Sequence, residues 1–370
     1  MGVDSVLVVG GGVAGLTAAA ALGRAGVRCE VVDLRDGAEG SGLGIQNRGI
    51  DALDAIGALD EVVAIGATYQ QAPLRFYDAA GELVSDPGVP LRPDGKPSYL
   101  IIYRPRLAEI LRGCAERAGA AVRIGVSVSR IEDGPDGVAV TFTDGTTGTY
   151  DLVVGADGLR STVRRMVFGD AVTPLSTGTV SLRWLPTGAP RGEAGFYYGG
   201  DAEMVVVPMH DDMTYVSVQH PDDAQLTEGE GRELLRKKFA QFTSPYLTAL
   251  AERLTDDQPV LVRRYEWLMV DGPWHRGRVV LIGDAAHATT AHLGSGGVMA
   301  LEDAVVLAEV VRAGGPVEDL LHRFHARRHE RCRTVVDTSV RLSDMQRAGA
   351  PADEMGAARW PALHLLSQPF

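Results

Sequence analysis

The chain has 370 residues, 45% of them hydrophobic and 23% charged, an ordinary balance for a globular protein of one large or two modest domains. Its 48 acidic residues outnumber 36 basic ones, giving a formal charge of −12 that argues against nucleic acid or an anionic membrane as the main partner. Cys29, Cys114 and Cys332 form no CxxC pair, and no stretch approaches the ~18–20 apolar residues of a membrane span, so neither a metal framework nor a membrane partner is expected.

Val6 to Val9 reads as a strand buried on both faces. No basic region precedes it and it is too short for a signal sequence, so a cytoplasmic protein is expected. Gly10-Gly11-Gly12-Val13-Ala14-Gly15 follows, then an Ala- and Leu-rich helix from Leu16 to Ala25 and a second strand, Cys29 to Val32. This is a βαβ opening of a doubly wound sheet. Asn47 to Leu59 is predicted helical, with Ile50, Leu53 and Ile56 on one face. Leu74–Tyr77 and Leu83–Val84 read as a hairpin, and Pro87 to Pro97 as loop.

Leu107 to Ala118 is an amphipathic helix. Strands are expected at residues 122–124, 126–128, 138–142 and 151–154. From 172 to 268 short strands dominate, at Val180–Trp184, Met204–Val207 and Thr214–Val218, with turns at Gly199-Gly200 and Asp211-Asp212. A helix from Glu230 to Phe242 lies across them. The α/β pattern returns at Val279–Ile282 and ends in helices Val298–Val311 and Val317–Ser343. The fold class is therefore α/β: a Rossmann-type dinucleotide-binding domain, read as FAD-binding on the resemblance given below, with an inserted, mostly antiparallel β-sheet domain and C-terminal helices. The expected boundaries are 1–72, 98–171 and 269–370 for the first domain, and 73–97 and 172–268 for the second.

Three segments carry chemistry. In the glycine loop, Gly10 permits the tight turn, Gly12 lets a pyrophosphate approach the backbone, and Gly15 lets helix pack on strand. The helix N-terminus at Val13 and Ala14 offers oriented N–H groups. Asp33, 18 residues after Gly15 and followed by Leu34, is placed to accept from a ribose hydroxyl. The loop alone does not separate FAD from NAD. Asp157-Gly158 and Gly283-Asp284 each end a buried strand, where ligands sit in open α/β sheets. Gly294, Gly296 and Gly297 open a second helix N-terminus toward the same space.

The segments GGGVAG, DLVVGADGLRSTVRR and GRVVLIGDAAHATTAHLGSGGVMALEDA resemble, in order, the three fingerprints of the single-component FAD-dependent aromatic hydroxylases, the para-hydroxybenzoate, salicylate and urate hydroxylase group. The resemblance implies that Gly10, Gly12, Val13, Ala14, Gly15, Asp33 and Leu34 hold the ADP half of FAD. It implies Arg104 on the flavin nucleotide, the Val128 backbone near adenine, and Asp157 and Gly158 in a motif tied to both FAD and NAD(P)H. Gly283 and Asp284 then meet the ribitol, and Gly294, Gly296 and Gly297 line the flavin ring. Ala291 and Ser295 depart from the Pro and Gln common in such proteins, and loss of the Pro removes a fixed φ from that loop.

The implied activity is an NAD(P)H-dependent monooxygenase, with NADPH or NADH as co-substrate, hydroxylating a small aromatic or heteroaromatic compound with O2 through a flavin hydroperoxide. The cofactor carries that chemistry and the protein orients substrate and excludes water. Arg183 and Tyr215, on strands of the inserted sheet, are the expected catalytic residues: Arg183 pairs with a phenolate or carboxylate, Tyr215 with the substrate hydroxyl or ring. Tyr197, Tyr198, Trp184, His210 and His220 are weaker candidates, and His287 reads as structural. The basic run Arg327, Arg328, His329, Arg331 and Arg333 reads as a solvated helix face. A flavin dehydrogenase or reductase without oxygen insertion is the alternative. A flavin halogenase lacks its tryptophan-rich signature, and a non-catalytic NAD-binding regulator would bind no FAD. A homodimer is an open option, and the apolar tail from Trp360 is expected to cover the pocket or a partner.

Overall fold

A computed structural model describes residues 2–37, 40–46, 48–69, 75–86, 92–190, 192–221 and 226–370. The expected hairpin residue Leu74, the helix start at Asn47 and the loop residues 87–91 lie outside them.

Strand Ser5–Val9 lies in the middle of a six-stranded sheet. In spatial order the strands are His275–Arg276, Val279–Leu281, Leu152–Gly155, Ser5–Val9, Arg28–Asp33 and Ala121–Ile124. All pairs are parallel except the His275–Arg276 edge. Val6, Leu7 and Val8 are fully buried, which explains their unbroken apolar run. Helix Val13–Arg24 packs on this sheet and against helices Gly296–Ala313 and Arg104–Arg117. Its buried run Ala18-Ala19-Ala20 keeps its surface flat enough for both neighbours.

The second sheet has eight strands, among them Val260–Met269, Leu175–Trp184, Thr214–Pro221, Ala202–Pro208 and Gly195–Gly199, antiparallel throughout this run. Phe76–Tyr77 and Leu83–Ser85 join its far edge, so residues well before the insert contribute to the same sheet. Helix Glu228–Phe239 covers one face, opened by a capping box in which Thr227 and Glu230 exchange hydrogen bonds. Among the described residues no helix is long and apolar enough to cross a membrane.

Several elements differ from expectation. The Asn47–Leu59 helix is two helices, Arg48–Ala55 and Leu59–Ile65, because Gly57 takes φ +73° between them. Gly42–Gln46, Ala67–Tyr69 and Tyr99–Tyr103 form a small three-stranded sheet not anticipated from the sequence. The strand expected at 126–128 begins at Val128 and runs to Gly134. The tail is helical from Ala352 to Ser367, with Trp360 69% exposed.

The largest correction concerns the basic run. Arg328 is 0% exposed and Arg331 6%, so these positions are not a solvated face. Arg328 meets Asp303 at 2.7 Å and Glu302 at 2.8 Å, while Arg331 grips Glu302 at 2.8 Å. Arg331 also donates to the carbonyls of Leu365 and Leu366, docking the terminal helix. His287 meets Asp303 at 2.6 Å, and Gly283 N–H donates to the same carboxylate at 2.8 Å. Burial raises the Asp303 carboxyl, but His287 and Arg328 outweigh it and hold it at about 2. Burial likewise opposes charge on His287, yet Cys332 and Asp303 raise it well above its ordinary value, and its Nε2–H donates to the carboxylate.

Removing one partner of such a network strands the others without compensation. Arg328→Met is expected to destabilise the fold by about 3–5 kcal/mol in urea unfolding. Arg327→Ala, which breaks exposed contacts with Glu309 and the Phe370 carbonyl, is expected to change it by less than about 1 kcal/mol.

Candidate functional site

The first strand ends in the glycine loop. Gly10 has φ +114°, its N–H donates to Val32 at 2.8 Å, and a Cβ there would overlap the Ala156 carbonyl. A Cβ on Gly15 would overlap the Gly10 carbonyl oxygen. Both positions therefore require glycine. Gly12 has no neighbour within 4 Å of its Cβ position, so this side of the loop is open. As N-cap it leaves the first N–H groups of Val13–Arg24, at Val13 and Ala14, without a side-chain cap. The sequence thus builds a cradle for phosphate oxygens and leaves its rim clear.

Asp33 ends the second strand. One carboxylate oxygen accepts from Gly11 N–H at 2.7 Å and the other from Arg35 N–H at 2.8 Å. Leu34 beside it is 61% exposed, an apolar side chain at the rim of an otherwise polar loop. Val128 is buried beside this strand end, where Val126 N–H reaches the Asp33 carbonyl. Arg104 opens its helix, is exposed, and lies across Gly40. Its charge reaches Asp284, joining two residues 180 positions apart in one cleft.

Gly283 turns with φ +58° against Ala14, and Asp284 follows it, partly buried. Among the described residues the Asp284 carboxylate takes no hydrogen bond. Burial raises its carboxyl, opposed by Arg104 and His287. A carboxylate so placed, beside a bare loop, is a donor-seeking group. Gly294 adopts the left-handed conformation and ends the turn Ala291–Leu293. Gly296 and Gly297 then open helix Gly296–Ala313, again without a side-chain cap. Gln46, not anticipated from the sequence, donates to the Leu293 carbonyl at 2.9 Å and binds this loop to the small sheet.

Asp157 lies against Gly10 through its backbone, but its carboxylate is engaged locally. Its carboxylate accepts from Ser161 at 2.5 Å, Thr162 N–H at 2.6 Å and Val163 N–H at 3.1 Å, capping helix Thr162–Phe168. Gly158, φ +75°, makes the turn between them.

In the second sheet, Arg183 is half-buried and its Nε donates to Ser181 at 3.2 Å. Burial works against its charge, but the hydroxyls of Tyr215 and Tyr265 hold it above the ordinary arginine range. Tyr215 packs against Gly42 of the small sheet, where any Cβ would stand about 3.0 Å from its ring. Tyr265 meets His292 edge-on, with centroids 5.8 Å apart. His292 Nε2 lies 3.1 Å from Gln346 Oε1, and Gln346 donates to Glu203 at 3.1 Å. Glu203 accepts the amide N–H and so fixes the orientation of Gln346. The Gln346 carbonyl then takes Nε2–H of His292, leaving Nδ1 to accept from Thr290 at 2.7 Å. Tyr265, His292, Gln346 and Glu203 were not singled out in the sequence. His292 sits inside the third fingerprint and was legible there; the others follow no motif.

Trp184 and Tyr197 lie in the lobe core instead, Trp184 against Phe239 and Tyr197 stacked on Tyr77 at 4.7 Å. Tyr198 stacks on Phe76, and His210 is exposed. His287, Asp303 and Cys332 bring ligand-type atoms within 4.8 Å of one another. Arg328 already occupies the Asp303 carboxylate and reaches Cys332 at 3.5 Å, so this group is an ion-pair knot rather than a metal centre.

A parallel sheet with two uncapped helix N-termini, a strand-end acid and a free carboxylate at one cleft defines a dinucleotide-binding α/β protein with an added antiparallel lobe. Residues 4–339 match the family model described as FAD binding domain, and the chain belongs to that family of FAD-dependent monooxygenases and hydroxylases. It is 30% identical to an FAD-dependent urate hydroxylase of Klebsiella oxytoca, over 89% of this chain and 87% of that one. It is 30% identical to a 3-amino-4-hydroxybenzoate 2-monooxygenase of Streptomyces cremeus, over 92% and 86%. The crystal structure of Klebsiella pneumoniae HpxO with FAD and uric acid superposes with TM-score 0.82 at 26% identity, covering 98% of this chain and 93% of that one. The tetrameric form of 2-methyl-3-hydroxypyridine-5-carboxylic acid oxygenase gives 0.80 at 25%, covering 98% and 96%.

Burial lowers His292 to about 4 from 6.5, with Arg359 adding to the effect and Gln346 opposing it. The unfolded chain takes up a proton that the folded site refuses. Stability is therefore full above about pH 6.5 and falls as pH drops toward about 4. The apparent Tm is expected to decline across that window, less steeply in His292→Gln, as followed by tryptophan fluorescence.

Proposed function

We propose that the chain is an NAD(P)H-dependent FAD monooxygenase that hydroxylates a small aromatic or heteroaromatic compound bearing an acidic oxygen. The carrying observation is Arg183: a half-buried cation held by Ser181 and Tyr265, on the sheet whose Tyr215 packs against the strand Gly42–Gln46. The relatives that act on urate and on an amino-hydroxybenzoate support the substrate class. We divide the chain accordingly, with 1–72, 98–171 and 269–370 holding FAD and 73–97 with 172–268 holding substrate. A cytoplasmic location and a homodimer belong to the same reading.

The residues present fit FAD. The open glycine cradle suits the pyrophosphate, Asp33 a ribose, and Leu34 and Val128 the adenine side. The free Asp284 carboxylate suits a polyol, with Arg104 nearby, and Gly294 to Gly297 suit the ring edge. When bound, FAD supplies hydride acceptance from NADH or NADPH and activation of O2. The protein's own part is positioning. Arg183 stabilises the anionic oxygen of the substrate, which keeps the ring electron-rich. Tyr215 orients the ring through its hydroxyl or its face. Neutral His292, with both nitrogens engaged, holds its wall in place and removes no proton.

Purified holoprotein offered hydroxylated and carboxylated aromatics with 18O2 is expected to couple NAD(P)H oxidation to one labelled oxygen in product. Turnover that continues without O2 would replace this reading with a flavin dehydrogenase or reductase. Arg183→Gln is expected to raise KM for the anionic substrate about tenfold or more, since a charge-assisted hydrogen bond is lost. Asp284→Ala is expected to weaken FAD about tenfold or more, read as recovered flavin fluorescence on dilution.

A further inference from the structure

Four of the nine histidines gather outside the residues assigned to the cleft, a concentration that calls for a reason. His322, His325 and His329 stand three and four residues apart on helix Val317–Arg347, the spacing that brings side chains to one face. His275 meets them from the edge strand His275–Arg276. Its ring lies edge-on to His322 with centroids 4.8 Å apart, and His325 and His329 lie 4.6 Å apart. Buried Trp274 floors the group, 5.5 Å from His325 and 5.9 Å from His329.

The protein leaves the ring nitrogens of this cluster largely unused. Both nitrogens of His275, Nδ1 of His325 and Nε2 of His329 are buried without a hydrogen-bond partner. Nδ1–H of His322 donates to the Glu318 carbonyl at 2.8 Å. That bond fixes the tautomer and leaves the Nε2 lone pair free, as the outer partners of metal-bound imidazoles do. Three of the rings are also pushed toward the neutral form. Burial and then the neighbouring imidazoles lower His325 to about 4; burial and His322 lower His275; burial and Arg333 lower His329. Around them stand the carboxylates of Glu318, Asp271 and Glu330 and the cation Arg333, with Asp271 and Arg333 paired to each other.

We propose that His275, His322, His325 and His329 form a binding site for one divalent transition-metal ion of the Zn2+, Ni2+ and Cu2+ class. Neutral imidazole is the ligand these ions share, and the i,i+4 pair on a helix is a recurring way to present it. The rings stand as two pairs, His275 with His322 and His325 with His329, and an ion shared by both pairs requires their side chains to rotate toward it. The ion then takes up nitrogen atoms that the metal-free protein buries without partners. Its place on an edge strand and a helix face gives it an entry path that the Asp303 knot lacks.

The test uses the full chain, free of any affinity tag, loaded with flavin and stripped with a chelator. Ni2+ or Zn2+ alone is titrated calorimetrically, and Cu2+ is followed by electron paramagnetic resonance. The expected result is one ion per chain, hyperfine splitting from more than one nitrogen, and an upward thermal shift. Binding is expected to weaken as pH falls, because a metal-bound imidazole nitrogen must be free of its proton. The double variant His325→Ala, His329→Ala is expected to weaken affinity about tenfold or more. His322→Ala, at an exposed position, reports the same loss if the double variant fails to fold. The proposal is overturned if the wild type binds no ion, if copper shows at most one nitrogen ligand, or if affinity is unchanged in these variants.

Discussion

The Asp303 carboxylate is the point on which the rest of the cofactor cleft depends. It is fully buried, yet it accepts from Arg328, from His287 and from the Gly283 backbone. Those donors come from the long C-terminal helix, a short strand and the turn that presents Asp284. Adjacent Glu302 takes the other contacts of Arg328 and those of Arg331, and Arg331 reaches on to the terminal helix. Desolvating so many charges is expensive, and a hydrophobic replacement of equal shape often matches such a network in stability. Its contribution is geometric: it permits one relative placement of three elements.

That placement has a direct consequence for ligand binding. Gly283 is tied to Asp303, so Asp284 projects into the cleft from a turn that cannot drift. The helix carrying Glu302 and Asp303 begins at Gly296, and its uncapped N-terminus opens on the same space as the uncapped N-terminus at Val13. The two helices pack on one another through small buried residues. The first helix is held by that packing, and the second also by the ion pairs behind it. Electrostatics buried behind the cleft thus set the geometry of the groups that line it.

The sequence showed the parallel sheet and the glycine cradle because their constraints are local. An apolar run buried on both faces and a glycine under a carbonyl leave marks at fixed offsets. Gly42–Gln46, Tyr99–Tyr103 and Ala67–Tyr69 were missed because each is held mainly by pairing with residues distant in the chain. Arg328 and Arg331 were misread for the same reason: a basic run looks solvated until its acids, 25 to 29 residues earlier, are brought alongside. Asp157 shows a local constraint of the same kind: its carboxylate caps a helix, a role legible in the following Ser161 and Thr162.

The departures at Ala291 and Ser295 are resolved by the same logic of distant contacts. A proline would fix φ in the loop before Gly294 by covalent means. Here the loop is held by hydrogen bonds instead. Ser295 donates to the Leu293 carbonyl at 2.8 Å, and Gln46 donates to that carbonyl from the small sheet. His292 is clamped between Thr290 and Gln346, and Gln346 is oriented by Glu203 of the antiparallel lobe. The loop at the expected flavin edge is therefore ordered by both lobes at once. A change at Glu203, on a strand with no glycine motif, reaches that edge through Gln346 and His292, so the two lobes share one loop rather than merely flanking it.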